Sequence, residues 1–361
     1  MKRIRFFFAP VALGIAAVVG ATTLSASAQP AGSGWHVAQQ LPGTGTVSAM
    51  TAAGPDAEWA FSESYGAKTE TAAWRNTGKG WVRMPFGTAT GEYVVAAAAT
   101  SADDVWAFTQ DSGALTRAWH WNGTSWTWHA FPGTFGGAIV LGPDNVWLFG
   151  ARYYGSGAQL GTLHYNGKQW SGVPGQLYGG SASPAGNIWA FGGAYVARWT
   201  GTGWARTSLA RFLPPLKSAC AKPCGQYLDQ PAIDAVLALS ASNVYALATA
   251  NGQDESGPWT LLHYNGHSWS RVTPFAAHDA SQLVSDGHGG IWILHSRGCC
   301  GLGEALRYSG GTVTSMGFPT TVQAASLAAV PGTADVLAGG YTGKPGDTSA
   351  DHPVILQYVP R

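Results

Sequence analysis

The chain is poor in charge. Lys, Arg, Asp and Glu make up 11% of its 361 residues, and 20 basic residues nearly balance 19 acidic ones. No block of either sign occurs, which argues against a nucleic-acid surface or an electrostatic membrane contact. Cysteine is scarce, at four residues, and no pair of Cys-x-x-Cys motifs frames a zinc site. After the N-terminal segment no apolar run approaches the roughly 20 residues that a membrane-spanning helix needs. What the chain has instead is 50 glycines and 17 tryptophans. That composition suits short strands joined by tight turns, not helices.

The N-terminus reads Met1-Lys2-Arg3-Ile4-Arg5, runs apolar over residues 6–19 and reaches Ala26-Ser27-Ala28. A charged start, a short apolar core and a small-residue site predict a secretory signal peptide, residues 1–28, cut after Ala28. Losing Lys2, Arg3 and Arg5 would take the formal charge from +1 to about −2. The remaining chain, 29–361, is expected to be one secreted, extracellular, monomeric domain with no membrane insertion.

One motif keeps returning. Asp104-Val105-Trp106-Ala107-Phe108 has close copies around Trp59, Trp147 and Trp189, and looser ones around Tyr245, Trp292 and Leu337. The spacings of these anchors are 47, 41, 42, 56, 47 and 45 residues, the period of four-stranded propeller blades. Upstream of the anchors lie small-residue strands such as 94–99, suited to the crowded axis of a propeller. Downstream come His120-Trp121-Asn122-Gly123-Thr124-Ser125-Trp126 and its relatives around Asn166-Gly167 and Asn265-Gly266. Asn-Gly favours the positive φ angles of a two-residue hairpin turn, which would join the third and fourth strands. The anchor strands are apolar at both parities, as expected where both sheet faces pack on neighbouring blades. The seventh repeat ends after its third strand, and Gly34-Trp35-His36-Val37 resembles a missing fourth one. An all-β, seven-bladed propeller is therefore predicted, closed by its N-terminal strand. An insertion at about 211–230 stretches the longest spacing.

The repeat resembles the kelch type. Ile188-Trp189-Ala190-Phe191-Gly192-Gly193, followed by Tyr195 and Trp204, matches best; Val336-Leu337-Ala338-Gly339-Gly340 and Phe149-Gly150 match in part. No Trp-Asp dipeptide supports the WD40 type. Galactose oxidase carries a kelch-type propeller, but its copper-ligand motifs have no counterpart here. The resemblance implies a fold and no particular activity.

Function should reside where the repeat breaks down. The loops between second and third strands share a face with the blade-to-blade connections. Tyr65, Tyr93, Tyr153, Tyr154, Tyr178, Tyr195, Tyr227 and Tyr341 map there, eight of 13 tyrosines. Such rings, with a polar tip, suit a sugar or a protein partner. Arg152, His295 and Arg297 stand among them, and Glu63, Glu92, Asp254 and Asp279 are the available acids. His120, His164 and His263 recur at one repeat position and read as structural. His295 opens an irregular loop but has no carboxylate near it in the sequence. No metal and no cofactor are expected. Cys220, Cys224, Cys299 and Cys300 suggest two disulfides, either as local pairs or as a staple between two loops. The favoured reading is a binding module for a glycan or an extracellular protein. A glycoside hydrolase or polysaccharide lyase on the same face is the alternative, and a passive envelope scaffold is a third.

Overall fold

A computed structural model describes residues 34–64, 70–88, 91–111, 115–151, 160–213, 231–249, 259–272, 280–295, 304–319, 321–343 and 351–360. The strands form seven separate four-stranded antiparallel sheets, so the chain is a seven-bladed β-propeller. Blade one comprises Gly45–Ala52, Glu58–Ser64, Thr71–Asn76 and Trp81–Met84. Blade two comprises Tyr93–Ser101, Asp104–Gln110, Leu115–Trp121 and Trp126–Pro132. Blade three holds Phe135–Gly142, Asn145–Gly150, Thr162–Tyr165 and Trp170–Gly172. Blade four holds Gly179–Ala182, Ile188–Gly192, Tyr195–Trp199 and Trp204–Ser208. Blades five and six run from Ala232–Ala238 to Trp269–Arg271 and from Ala280–Ser285 to Thr312–Gly317.

Blade seven is the join. Its strands Val322–Ala329, Val336–Thr342 and His352–Tyr358 come from the C-terminal end, and Trp35–Gln40 supplies the fourth. Closure of this kind covers the strand edges that an open array would expose.

The anchors explain why the ring holds. Trp59, Trp106, Trp147 and Trp292 are almost wholly buried. Each anchor tryptophan meets the outer-strand tryptophan of the next blade. The pairs are Trp59–Trp126 at 5.7 Å, Trp106–Trp170 at 6.3 Å, Trp147–Trp204 at 5.4 Å and Trp189–Trp269 at 6.0 Å. All four are edge-to-face, the arrangement that ring quadrupoles favour. Trp292 of blade six meets Trp35 in the same way at 5.7 Å, so the N-terminal strand occupies a true repeat position.

The turns between third and fourth strands differ from the two-residue geometry expected of Asn-Gly. Trp121 pairs with Trp126, Tyr165 with Trp170 and Tyr264 with Trp269, which leaves four residues in each loop. Only the glycine takes positive φ, 92° at Gly123. The Asn122 side chain instead accepts the backbone N–H groups of Thr124 (3.1 Å) and Ser125 (3.0 Å). Asn thus acts as a side-chain cap on the turn. A two-residue turn does occur in blade six, where Gly310 and Gly311 both have positive φ between the paired Ser309 and Thr312.

Six of the seven inner strands share a feature that the sequence pattern did not announce. Each has a register shift near its loop-face end, at Val47/Ala49, Val94/Ala96, Phe135/Gly137, Ile233/Ala235, Ala280/Gln282 and Ala324/Ser326. A bulge bends a strand and raises its twist, which fits a strand that follows the wall of a channel.

Candidate functional site

Two clusters of polar and ionisable groups form on the loop face among the described residues. The larger straddles blades one and two. Glu63, near the end of the Glu58–Ser64 strand, pairs in register with Thr71. The Thr71 hydroxyl donates to the Glu92 backbone carbonyl at 3.2 Å and accepts from the Thr88 hydroxyl at 2.6 Å. Glu92 immediately precedes the inner strand of blade two. Its buried carboxylate forms an ion pair with Arg117 and accepts from the Thr109 hydroxyl at 3.2 Å. The Trp119 indole N–H donates to that same hydroxyl at 3.1 Å. Arg117 also lies 5.2 Å from the Trp128 ring centre, a cation–π contact.

The electrostatics of this cluster follow from burial. Glu63 is buried, with no ion pair among the described residues, and loss of solvent pushes its carboxyl up to about 7. Tyr93 is raised by burial first, then by the negative charges of Asp111 and Glu63. The two acids thus sit in different surroundings, Glu92 ion-paired with Arg117 and Glu63 raised by burial. Such a division is what general acid–base chemistry uses. Glu63, Glu92 and Tyr93 were legible as candidates; Arg117 was not, because nothing in its own strand marks it.

The second cluster lies on blade six and corrects the reading of His295 as a histidine without a carboxylate. His295 pairs in register with Glu304, and its Nδ1 lies 3.5 Å from Glu304 Oε1. The Ser315 hydroxyl donates to the other Glu304 oxygen. Glu304 begins the next strand, nine positions after His295, a separation that hides the pairing from sequence inspection.

The remaining described tyrosines are tied into the scaffold. Tyr195 donates its hydroxyl to the Gln176 carbonyl at 2.5 Å and stacks with Arg206. Tyr341 donates to Gln323 Oε1 at 2.7 Å. Tyr178 packs on the cluster shared by blades four and five. Tyr65, Arg152, Tyr153, Tyr154, Tyr227, Asp254, Asp279 and Arg297 lie outside the described residues. So do Cys220, Cys224, Cys299 and Cys300, and the signal segment 1–28.

The repeated histidines belong to the opposite, hairpin-turn side of the blades. His120 stacks on Trp106 at 4.3 Å, with its Nε2 2.9 Å from Asp104 Oδ1, and the Trp106 indole N–H donates to that same oxygen. His164 repeats this on Trp147 and Asn145, and His263 on Tyr245 and Asn243. These are struts beneath the anchors. Among the described residues, no group of three or more His, Cys, Asp or Glu could hold a metal ion, and no helix is long and apolar enough to cross a membrane.

No protein-family model matches the chain, and no curated protein matches it. Solved structures do match. The structure of YCF48 bound to D1 peptide is 14% identical with a TM-score of 0.57, and 93% of this chain and 100% of that one are covered. The extracellular domain of a proposed one-component system from B. thetaiotaomicron is 10% identical with a TM-score of 0.58, over 90% of this chain and 40% of that one. A GH74 xyloglucanase from Xanthomonas campestris is 12% identical with a TM-score of 0.53, over 85% and 52%. The likeness is one of fold.

Proposed function

We propose that the protein is an exported propeller that binds a glycan or an extracellular protein on its loop face. The observation that carries this reading is the contrast between the two faces. The hairpin-turn side repeats one structural device from blade to blade. The loop face gathers Glu63, Glu92, Tyr93 and Arg117 at one seam and His295 with Glu304 at another, groups that the repeat does not require. Propellers of the same fold include one bound to a peptide and one described as extracellular, which supports a recognition role without naming the ligand. On this reading the mature protein is a secreted monomer without a cofactor, and nucleic acid is not its partner. Its four cysteines form two disulfides. The repeat stands nearest the kelch type, where Gly192 leaves room for Tyr195 against the Gln176 carbonyl and Gly193 takes positive φ.

Glycan arrays and extracellular pull-downs with mature protein test the proposal. Binding that is lost in Glu63→Gln/Tyr93→Ala or in Tyr153→Ala/Tyr154→Ala supports it. A ligand held equally by all variants contradicts the placement.

A carbohydrate-active enzyme is the second reading, favoured by one observation: Glu63 and Glu92 share a seam, Glu92 ion-paired with Arg117 and the Glu63 carboxyl pushed up to about 7 by burial. A xyloglucanase has the same fold, which permits the reading without adding residues to it. A polysaccharide panel that yields neither new reducing ends nor unsaturated products excludes it.

A further inference from the structure

We propose that the loop-face end of the seam between blades one and two is a pocket for a primary ammonium group, filled by a lysine side chain of an extracellular protein. This pocket belongs to the loop-face site proposed above and rests on that reading. Phe61, two residues before Glu63 and on the same face of the strand, lies 6.2 Å from Trp126 of blade two, so Glu63 faces that seam as well. Glu63 pairs in register with Thr46 on one side and Thr71 on the other. The three side chains therefore stand in one row toward blade two, on strands about 5 Å apart. All three are more than nine-tenths buried, and Glu63 keeps 7% of its surface exposed. Among the described residues, no hydrogen bond or ion pair engages the Glu63 carboxyl.

A carboxyl at this point is not part of blade packing. Four residues beyond the anchors the other blades carry Gln110, Ala151, Gly193, Thr249, Ser296 and Tyr341, so Glu63 is the one acid at this repeat position. Two of the longer side chains there are tied to an inner strand. Gln110 accepts the Phe135 backbone N–H of the next blade at 3.3 Å, and Tyr341 donates to Gln323. Glu63 makes neither kind of bond.

The ligand class follows from what the row offers. The Thr46 hydroxyl donates to the Val47 carbonyl at 3.4 Å, and the Thr71 hydroxyl donates to the Glu92 carbonyl at 3.2 Å. Both have committed their protons and keep oxygen lone pairs, so with Glu63 ionised the row presents acceptors alone. An ammonium matches it, with three N–H donors and no acceptor, whereas a sugar hydroxyl brings acceptors that the row cannot satisfy. Charge agrees. Across the seam stand Glu92, Thr109 and Arg117, and the one cation among them is paired with Glu92. Tyr93 and Asp111, close by, bring no positive charge. An ionised Glu63 therefore leaves the seam with negative charge in excess. Reach favours lysine over an amino sugar, because a slim four-carbon stem can enter where a pyranose ring carrying its amine directly cannot.

Calorimetric titration of the mature chain with acetyl-Gly-Lys-Gly-amide tests the pocket, against counterparts in which norleucine or arginine replaces lysine and against glucosamine. We expect millimolar binding of the lysine peptide and none of the norleucine one, with arginine and glucosamine weaker. The Glu63 carboxyl, at about 7, must lose its proton to receive a cation, so the lysine peptide should bind about tenfold tighter at pH 8 than at pH 6. Glu63→Gln should abolish binding at both pH values, and Thr46→Val should weaken it about threefold. Lys68, outside the described residues, is the rival occupant within the chain, and binding gained only in Lys68→Met would overturn the assignment. So would no heat from the lysine peptide, equal binding of the norleucine peptide, preference for arginine or glucosamine, or an affinity independent of pH. A protein partner lost in Tyr153→Ala/Tyr154→Ala but held fully by Glu63→Gln would overturn it as well, while leaving the loop-face reading intact.

Discussion

Trp35 pairs in register with Tyr358, and their rings lie 5.5 Å apart, so the first described strand and the last hold each other within one blade. Trp35 also contacts Trp292 at 5.7 Å and Phe318 at 4.9 Å and is fully buried. Trp35→Ala should therefore cost about 3–5 kcal/mol, by lost burial and an unfilled cavity. Trp128→Ala, at a half-exposed position, should cost under about 1 kcal/mol. Urea unfolding of the two variants checks the difference; equal losses would mean that ring closure does not depend on this contact.

Glu63 gives stability a pH dependence of definite sign. Its carboxyl is raised from 4.5 to about 7 in the folded protein. The folded state thus holds this proton more tightly than the unfolded one. Stability is undiminished below pH 4.5 and falls as the pH rises through 7, by up to roughly 3 kcal/mol. Glu63→Gln should remove that loss, so wild type and variant converge at pH 4.5 and diverge at pH 8. Parallel stability curves would show that Glu63 is solvated or paired.

Arg117 and Glu92 should behave as a coupled pair. Arg117→Met leaves the Glu92 carboxylate buried beside Thr109 with its countercharge gone, and should cost about 3–5 kcal/mol. Adding Glu92→Gln should restore most of that. A double-mutant cycle by chemical denaturation reads the coupling, and additive losses would contradict it.

His164 and His263 have a structural signature of their own. Burial lowers both below 6.5, so their contribution is present above that pH and is lost as pH falls through the lowered values. His164→Gln/His263→Gln should flatten the stability slope on the acid side of 6.5 and leave ligand binding unchanged. A loss of binding would give the histidines a role beyond the scaffold.

What was legible in the sequence follows from which forces repeat. Blade packing is the same problem solved seven times, so Trp59, Trp106, Trp147 and Trp292 recur visibly and even the borrowed strand around Trp35 can be recognised. The site depends instead on contacts across blades and loops that do not repeat. Arg117 meets Glu92 only because the two reach each other across the anchor strand of blade two, which lies between the third strand and the inner one. His295 meets Glu304 only through the register in which their two strands pair. The Asn-Gly turns misled in detail because propensity identifies the turn residues without fixing loop length. Four residues close around the Asn122 side chain, where two would have required Asn itself at positive φ.

Backbone hydrogen exchange on the mature protein, with and without a ligand taken from the glycan array or pull-down, tests most directly the claim that recognition belongs to the loop face. The expected footprint is protection around Glu63, at 91–94 and at 115–118, with the hairpin turns at Asn122, Asn166 and Asn265 unchanged. Protection confined to those turns, or spread evenly over both faces, would contradict it.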